Sequence, residues 1–280
     1  EINMASPIVI PPIPDVLLSI RKVMSEEDPD VRAIAELVKE DVALYTLFLS
    51  AANSPWMGLT TPATSIEHAI MLMGLDRIQT MVQSLIARSS FDNNLVKESF
   101  WNAAIDVAGV CSDLSNRFSG FDRNQAYSIS MLHNIGIPIM LQHFSNYADF
   151  IKQHQDLSND KLCVLEKQTF STDHYLQGAL MARQWHLGEE VALTIRCQPI
   201  ATKILGGYRG VDEGVATYLA VLILAKSVSA EYRLHWNSNG NGETSMKEVE
   251  LALNYMHINL GDFDELKEDL IDEYLNKTSA

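Results

Sequence analysis

Apolar residues recur along this chain at three- and four-residue spacing, with almost no strict alternation. That is the period of helices that bury one face. Asp30 is placed to cap a helix whose Val31, Ile34, Leu37 and Val38 share one side. The pattern continues over residues 41–52 until Asn53-Ser54-Pro55 stops it. Thr64-Ser65-Ile66-Glu67 reads as a capping box for a short helix through Met73, closed by Gly74. A helix over 76–88 carries Ile78, Met81, Val82, Leu85 and Ile86, and the same periodicity marks 100–118, 125–143, 172–185 and 213–230. Beyond a small-polar loop at 236–242, expected to be mobile, two more helices are predicted over 245–258 and 262–274. No segment alternates long enough to require a sheet, so the expected fold is all-α.

Composition sharpens this picture. With 280 residues, 47% apolar and 20% charged, the chain has the profile of a globular protein with a substantial core. Lys and Arg number 21 against 36 Asp and Glu, a formal net charge of -15, and no basic run appears in the sequence. Such a surface repels phosphate backbones, so direct nucleic-acid binding is not expected. Cys111, Cys163 and Cys197 are odd in number and widely spaced. They predict reduced thiols rather than a disulfide framework or a zinc cluster. Residues 1–14 lack a basic start and contain four prolines, unlike a signal peptide, and the longest apolar run, 218–225, is too short to span a bilayer. A cytoplasmic protein with no membrane association is the expectation.

Several short motifs, taken in order, identify a relationship. Pro11-Pro12-Ile13-Pro14, Asp28-Pro29, and Ser50-Ala51-Ala52-Asn53-Ser54 come first, followed by Thr64 to Ile70 and Met73-Gly74-Leu75. Phe100-Trp101, Met131-Leu132-His133-Asn134-Ile135-Gly136, Asp173-His174, Trp185 and Pro199 follow. The chain resembles HDOD (HD-related output) domains over roughly residues 10–230. The resemblance implies a bacterial-type helical bundle, with an N-terminal helical lobe over about 10–92 packed on an HD-like lobe over about 95–230. Residues 231–280 would supply the loop and closing helices that pack on the HD-like lobe.

The family is related to HD-type metal-dependent phosphohydrolases, in which His and Asp side chains from separate helices hold divalent metals. The metal polarises a phosphoryl group and generates a hydroxide. Carried onto this sequence position by position, the ligand set is depleted. The first His position is Ala103, and the His-Asp doublet is His133-Asn134. His174 matches a further His. The His pair before Pro199 is replaced by Arg196-Cys197-Gln198, and the late Asp by Lys226. Asn134 keeps a neutral carbonyl oxygen but no charge. At about 4 Å and an effective dielectric near 20, each added unit charge repels another by roughly 4 kcal/mol, and a dication feels about twice that. No metal or other cofactor is therefore expected. Blander roles stay open: His133 as a satisfied core histidine, His174 as a structural or solvated residue near a helix start, and Lys226 extending outward.

The resemblance and the depleted ligands together imply a non-catalytic signalling or regulatory protein that binds a protein partner or a small ligand. Its surface would be the cleft over His133 and His174, or a groove between the two lobes. Two other readings compete. One is a working metal-dependent phosphohydrolase using His133, Asn134 and His174. The other is a pocket that binds a nucleotide or another anion through Arg196 and Lys226. Gly206-Gly207-Tyr208-Arg209-Gly210 lacks the Lys-Ser/Thr of a phosphate loop and reads as a turn between helices.

Overall fold

A computed structural model of the chain describes residues 8–40, 44–45, 48–49, 52–53, 62–91, 96, 98–154, 157–229 and 246–278. Among the described residues there is no strand, and the fold is all-α as the periodicity predicts. The helices are α1 (Asp15–Met24), α2 (Val31–Lys39), α3 (Ile66–Met73), α4 (Leu75–Ser89), α5 (Glu98–Arg117), α6 (Arg123–Leu132), α7 (Gly136–His143) and α8 (Tyr147–His154). They continue with α9 (Asn159–Phe170), α10 (His174–Gln184), α11 (Glu189–Cys197), a 3₁₀ turn (Gln198–Ile200), α12 (Ala201–Leu205), α13 (Glu213–Val228), α14 (Met246–Tyr255) and α15 (Leu260–Thr278). The expected loop at 236–242 and the expected lobe boundary at 92–95 lie outside the described residues, as does most of the segment 41–52.

Local signals start these helices where the sequence places them. Asp30 accepts from the Arg32 amide at 2.9 Å and caps α2. The start of α3 differs from expectation. Ser65, not Thr64, is the capping residue, accepting from the His68 amide at 3.1 Å. Glu67 is thereby freed from the expected capping box, and instead receives Lys39 at 2.7 Å, joining α2 to α3.

The expected single helix over 125–143 is two helices, α6 and α7, interrupted at residues 133–135. Pro138 explains the interruption. It has no N–H to give the Asn134 carbonyl four residues earlier, and its ring would collide with that carbonyl in a continuous helix. The Asn134 carbonyl instead accepts from the Ile137 amide at 2.9 Å. A strong local rule thus places the His133-Asn134 doublet within a turn.

Helix α13 is apolar on all sides, with Val215 through Ala225 and Val228 buried. A helix of that kind has to sit inside the bundle, and α13 packs against α5, α6, α11, α12, α14 and α15. The N-terminal helices pack among themselves and reach the rest through α4 against α6. A second tie comes from Trp185. Its fully buried indole donates to the Pro11 carbonyl at 2.9 Å, pinning the proline-rich opening segment to the end of α10. No helix among the described residues is long and apolar enough to cross a membrane.

Candidate functional site

His133 and His174 are brought together by a crossing of helix N-termini that only glycine permits. A Cβ on Gly136, at the start of α7, would lie 1.8 Å from the His174 carbonyl oxygen and 2.9 Å from the Gly178 amide nitrogen. A Cβ on Gly178 would meet the Gly136 amide at 3.2 Å. The two backbones are in direct contact, and each imidazole is carried in beside that contact.

His133 ends α6 and is buried. Its Nδ1 lies 2.5 Å from the Ser130 carbonyl one turn back, so Nδ1 carries the proton of the neutral ring. Burial first, and then the charge of Lys226, hold its pKa well below 6.5, and the ring is neutral. The backbone thus satisfies one of the two ring nitrogens, Nδ1.

His174 opens α10 and is held by a carboxylate that sequence reasoning missed. Glu166 is fully buried on α9 and accepts from His174 Nδ1, 2.8 Å from one oxygen and 2.9 Å from the other. It also accepts from the His174 amide at 3.1 Å and from the Tyr147 hydroxyl. Burial alone would raise the Glu166 pKa, but the His174 charge and these hydrogen bonds outweigh it and hold the carboxyl below its ordinary 4.5. Tyr147, Phe144, Phe150 and Phe170 pack as a ring cluster around this side, with centroids 4.8–5.9 Å apart. A carboxylate that fixes the tautomer and orientation of an imidazole is the arrangement found behind metal-ligating histidines. The sequence signal is faint, because Glu166 lies outside the motifs that carry the family resemblance.

Lys226 points inward. It is 5% exposed and donates from Nζ to Gln198 Oε1 at 2.8 Å. Gln198 in turn donates from Nε2 to the His133 carbonyl at 2.7 Å. The ammonium is therefore fixed to the backbone of His133 through one amide side chain. Burial pushes the Lys226 pKa down to about 7, against a smaller opposing effect of Glu248. Gln198 was noted in the sequence only as a replaced histidine, yet it is the side chain that joins these groups.

The remaining positions divide. Ala103 and Asn134 are buried. One turn beyond Ala103 on α5, the buried Asp106 accepts from Ser229 Oγ at 2.5 Å. Arg196 and Cys197 line a pocket between α9 and α11–α12, which neither Gln198 nor Lys226 lines. The structure thus does not join Arg196 and Lys226 in one anion pocket.

These residues do not fit a divalent metal. Ala103 contributes no ligand, Asn134 no charge, and the Lys226 ammonium is directed to Gln198 beside His133. Among the described residues no group of three or more His, Cys, Asp or Glu side chains is arranged to hold an ion. The arrangement can orient a neutral imidazole, bury a proton-labile amine and accept hydrogen bonds.

Comparison with known proteins places this geometry in a family. The HDOD domain family matches residues 10–200. A protein of Treponema pallidum, itself uncharacterized, is 26% identical over 193 residues, which are 67% of this chain and 37% of that protein. The chain therefore spans well under half the length of that curated relative. Among solved structures, a candidate phosphohydrolase of Shewanella amazonensis superposes with a TM-score of 0.67 at 19% identity, over 96% of this chain and 93% of its own. A candidate signal transduction protein of Marinobacter aquaeolei superposes with a TM-score of 0.68 at 16% identity, over 96% of this chain and 58% of its own. At these identities the structural likeness establishes the fold, and the family match extends over more than half of the chain. The chain belongs to the HDOD domain family.

Proposed function

We propose that this chain is a non-catalytic HDOD-type signalling or regulatory protein, which acts by binding a protein partner or a small ligand and has a degenerate metal site. The observation that carries the reading is the Lys226 ammonium, 2.8 Å from Gln198 Oε1 and linked through Gln198 to His133. When protonated, the ammonium in that place opposes a dication, and the missing ligands at Ala103 and Asn134 leave too little negative charge to offset one. The description of the Marinobacter relative as a signal transduction protein supports the same class. A net charge of -15 favours a protein or small-molecule partner over nucleic acid. Three free, buried cysteines suit a reducing compartment, and we assign the protein to the cytoplasm.

The competing reading is a metal-dependent phosphohydrolase built on His133, Asn134 and His174. The Glu166–His174 pair favours it, as does the name of the Shewanella relative. Elemental analysis of purified protein, followed by hydrolysis assays on cyclic and linear nucleotides with Mn²⁺, separates the two. The expected result is substoichiometric metal and no turnover above that of a His133→Ala/His174→Ala control. Stoichiometric metal together with turnover that is lost in His133→Ala would overturn the proposal.

A further inference from the structure

The pocket that receives Arg196 and Cys197 has the make-up of a ligand site. Its volume of about 740 Å³ lies within the range of small-molecule sites. Its apolar lining is aliphatic and thiol, including Val164, Leu165, Pro199 and Ile200, of which Val164 is 55% exposed. Four of the chain's 21 basic residues line it, Lys161, Lys167, Arg196 and Lys203, drawn from α9, α11 and α12. The sequence gives no hint of this patch, because the four are separated by up to 42 positions and are gathered only by the fold.

The positive charge is not used up internally. Asp173, fully buried behind the wall, is shared between Lys167 at 3.5 Å and Arg196 at 3.7 Å, both longer than a good hydrogen bond. One of its oxygens is already taken by the Leu176 amide at 2.8 Å. Asp160, the other carboxylate on the wall, receives Ser158 Oγ at 2.6 Å. Among the described residues four cations thus face two carboxylates, an excess of two positive charges on a molecule whose net charge is -15. A local reversal of sign in a concave, partly apolar site concentrates anions there.

From this geometry we infer that the groove between α9 and α11–α12 binds a small organic anion with an aliphatic body, a carboxylate or phosphate ester whose head meets the Lys161, Lys167, Arg196 and Lys203 rim. The body is aliphatic because no aromatic side chain stands among the described lining residues, so a nucleobase would have no ring to stack on. Gln198, His133 and Lys226 do not line this site. Binding there is therefore expected whether or not that centre turns over, and a binding assay tests it separately from hydrolysis.

Calorimetric titration of the full chain with octanoate, octyl phosphate, octan-1-ol and adenosine monophosphate provides the test. The two octyl anions are expected to bind at least about tenfold more tightly than octanol or adenosine monophosphate, and more weakly as salt rises. Which octyl anion binds better distinguishes a carboxylate from a phosphate ester as the preferred head. Lys161→Glu/Lys203→Glu reverses two exposed rim charges and is expected to weaken octyl-anion binding about tenfold or more. Val164→Asp, which places a carboxylate at the apolar mouth, provides a second route to the same loss. The inference fails if octanol or adenosine monophosphate binds as tightly as the octyl anions. It also fails if no octyl anion gives heat, or if both variants bind like the wild type.

Discussion

Lys226 reaches Gln198 with its ammonium 2.8 Å from the side-chain carbonyl, so a cation in the interior of this bundle is matched first by a neutral amide. Burial sets its acidity, down to about 7 from an ordinary 10.5. The unfolded chain keeps that proton up to about pH 10.5, whereas the folded chain releases it near pH 7. Between those values the unfolded state binds more protons, so stability rises with pH across the window. Lys226→Met is expected to stabilise the protein below pH 7 by roughly 1–3 kcal/mol, after the loss of the Gln198 contact is set against the charge removed. The advantage should shrink as pH rises from 7 to 10. Urea unfolding at pH 6, 8 and 10 measures it, and an advantage that does not change with pH would place the ammonium in water.

Glu166 behaves with the opposite sign. Its carboxyl is held below 4.5 in the folded chain, so its contribution is fully present above that pH and is lost as pH falls below it. Glu166→Gln is expected to cost about 2 kcal/mol at pH 7, because His174 and Tyr147 lose a charged acceptor. Wild type and variant should converge as pH falls from 5 towards 3. Parallel stability curves over that range would mean that the pair carries no charge.

At Gly136 the limitation is space. A methyl group there would meet the His174 carbonyl at 1.8 Å, backbone against backbone, and no side chain can rotate away. Gly136→Ala is expected to destabilise by about 3 kcal/mol or more, at or beyond the upper end of ordinary overpacking. Gly261, on the first turn of α15, has only Asn259 Oδ1 near its added Cβ, at 3.4 Å. Gly261→Ala should therefore be neutral or stabilising by about 0.5 kcal/mol. Denaturant midpoints of the two variants make the comparison, and equal effects would remove the backbone-contact argument.

Trp185→Phe removes the shorter of two donors to the Pro11 carbonyl, leaving Gln184 Nε2 at 3.3 Å, and leaves part of a fully buried site unfilled. The expected cost is about 2 kcal/mol. The opening segment at residues 8–14 should also become a preferred site of protease cleavage, read by mass spectrometry of limited digests. Digestion at an unchanged rate would show that the segment is held without the indole hydrogen bond.

Much of this fold was legible in the sequence, because helical periodicity needs only one side chain in three or four to be apolar. Asp30, Gly74 and the α4 face follow directly from it. The division of α6 from α7 was also written there, in Pro138, but a periodicity scan does not register a missing N–H. The candidate site was less legible. His133, His174 and Lys226 could be found because short motifs carry them. Glu166 could not, because a lone Glu on an amphipathic helix looks like solvated surface until the fold turns it inward. The rim of Lys161, Lys167, Arg196 and Lys203 was invisible for a related reason: charge that is dispersed in one dimension was collected in three.

The crossing of α7 over α10 at Gly136 and Gly178 has a wider consequence. Here main chain pressed on main chain fixes how closely the helix that follows His133 approaches the helix that His174 opens. A scaffold braced in this way can exchange its ligands one at a time, carboxylate for amide or for amine, while the surrounding architecture stays intact. The interior becomes free ground for change, and selection can act on the outside of the bundle instead.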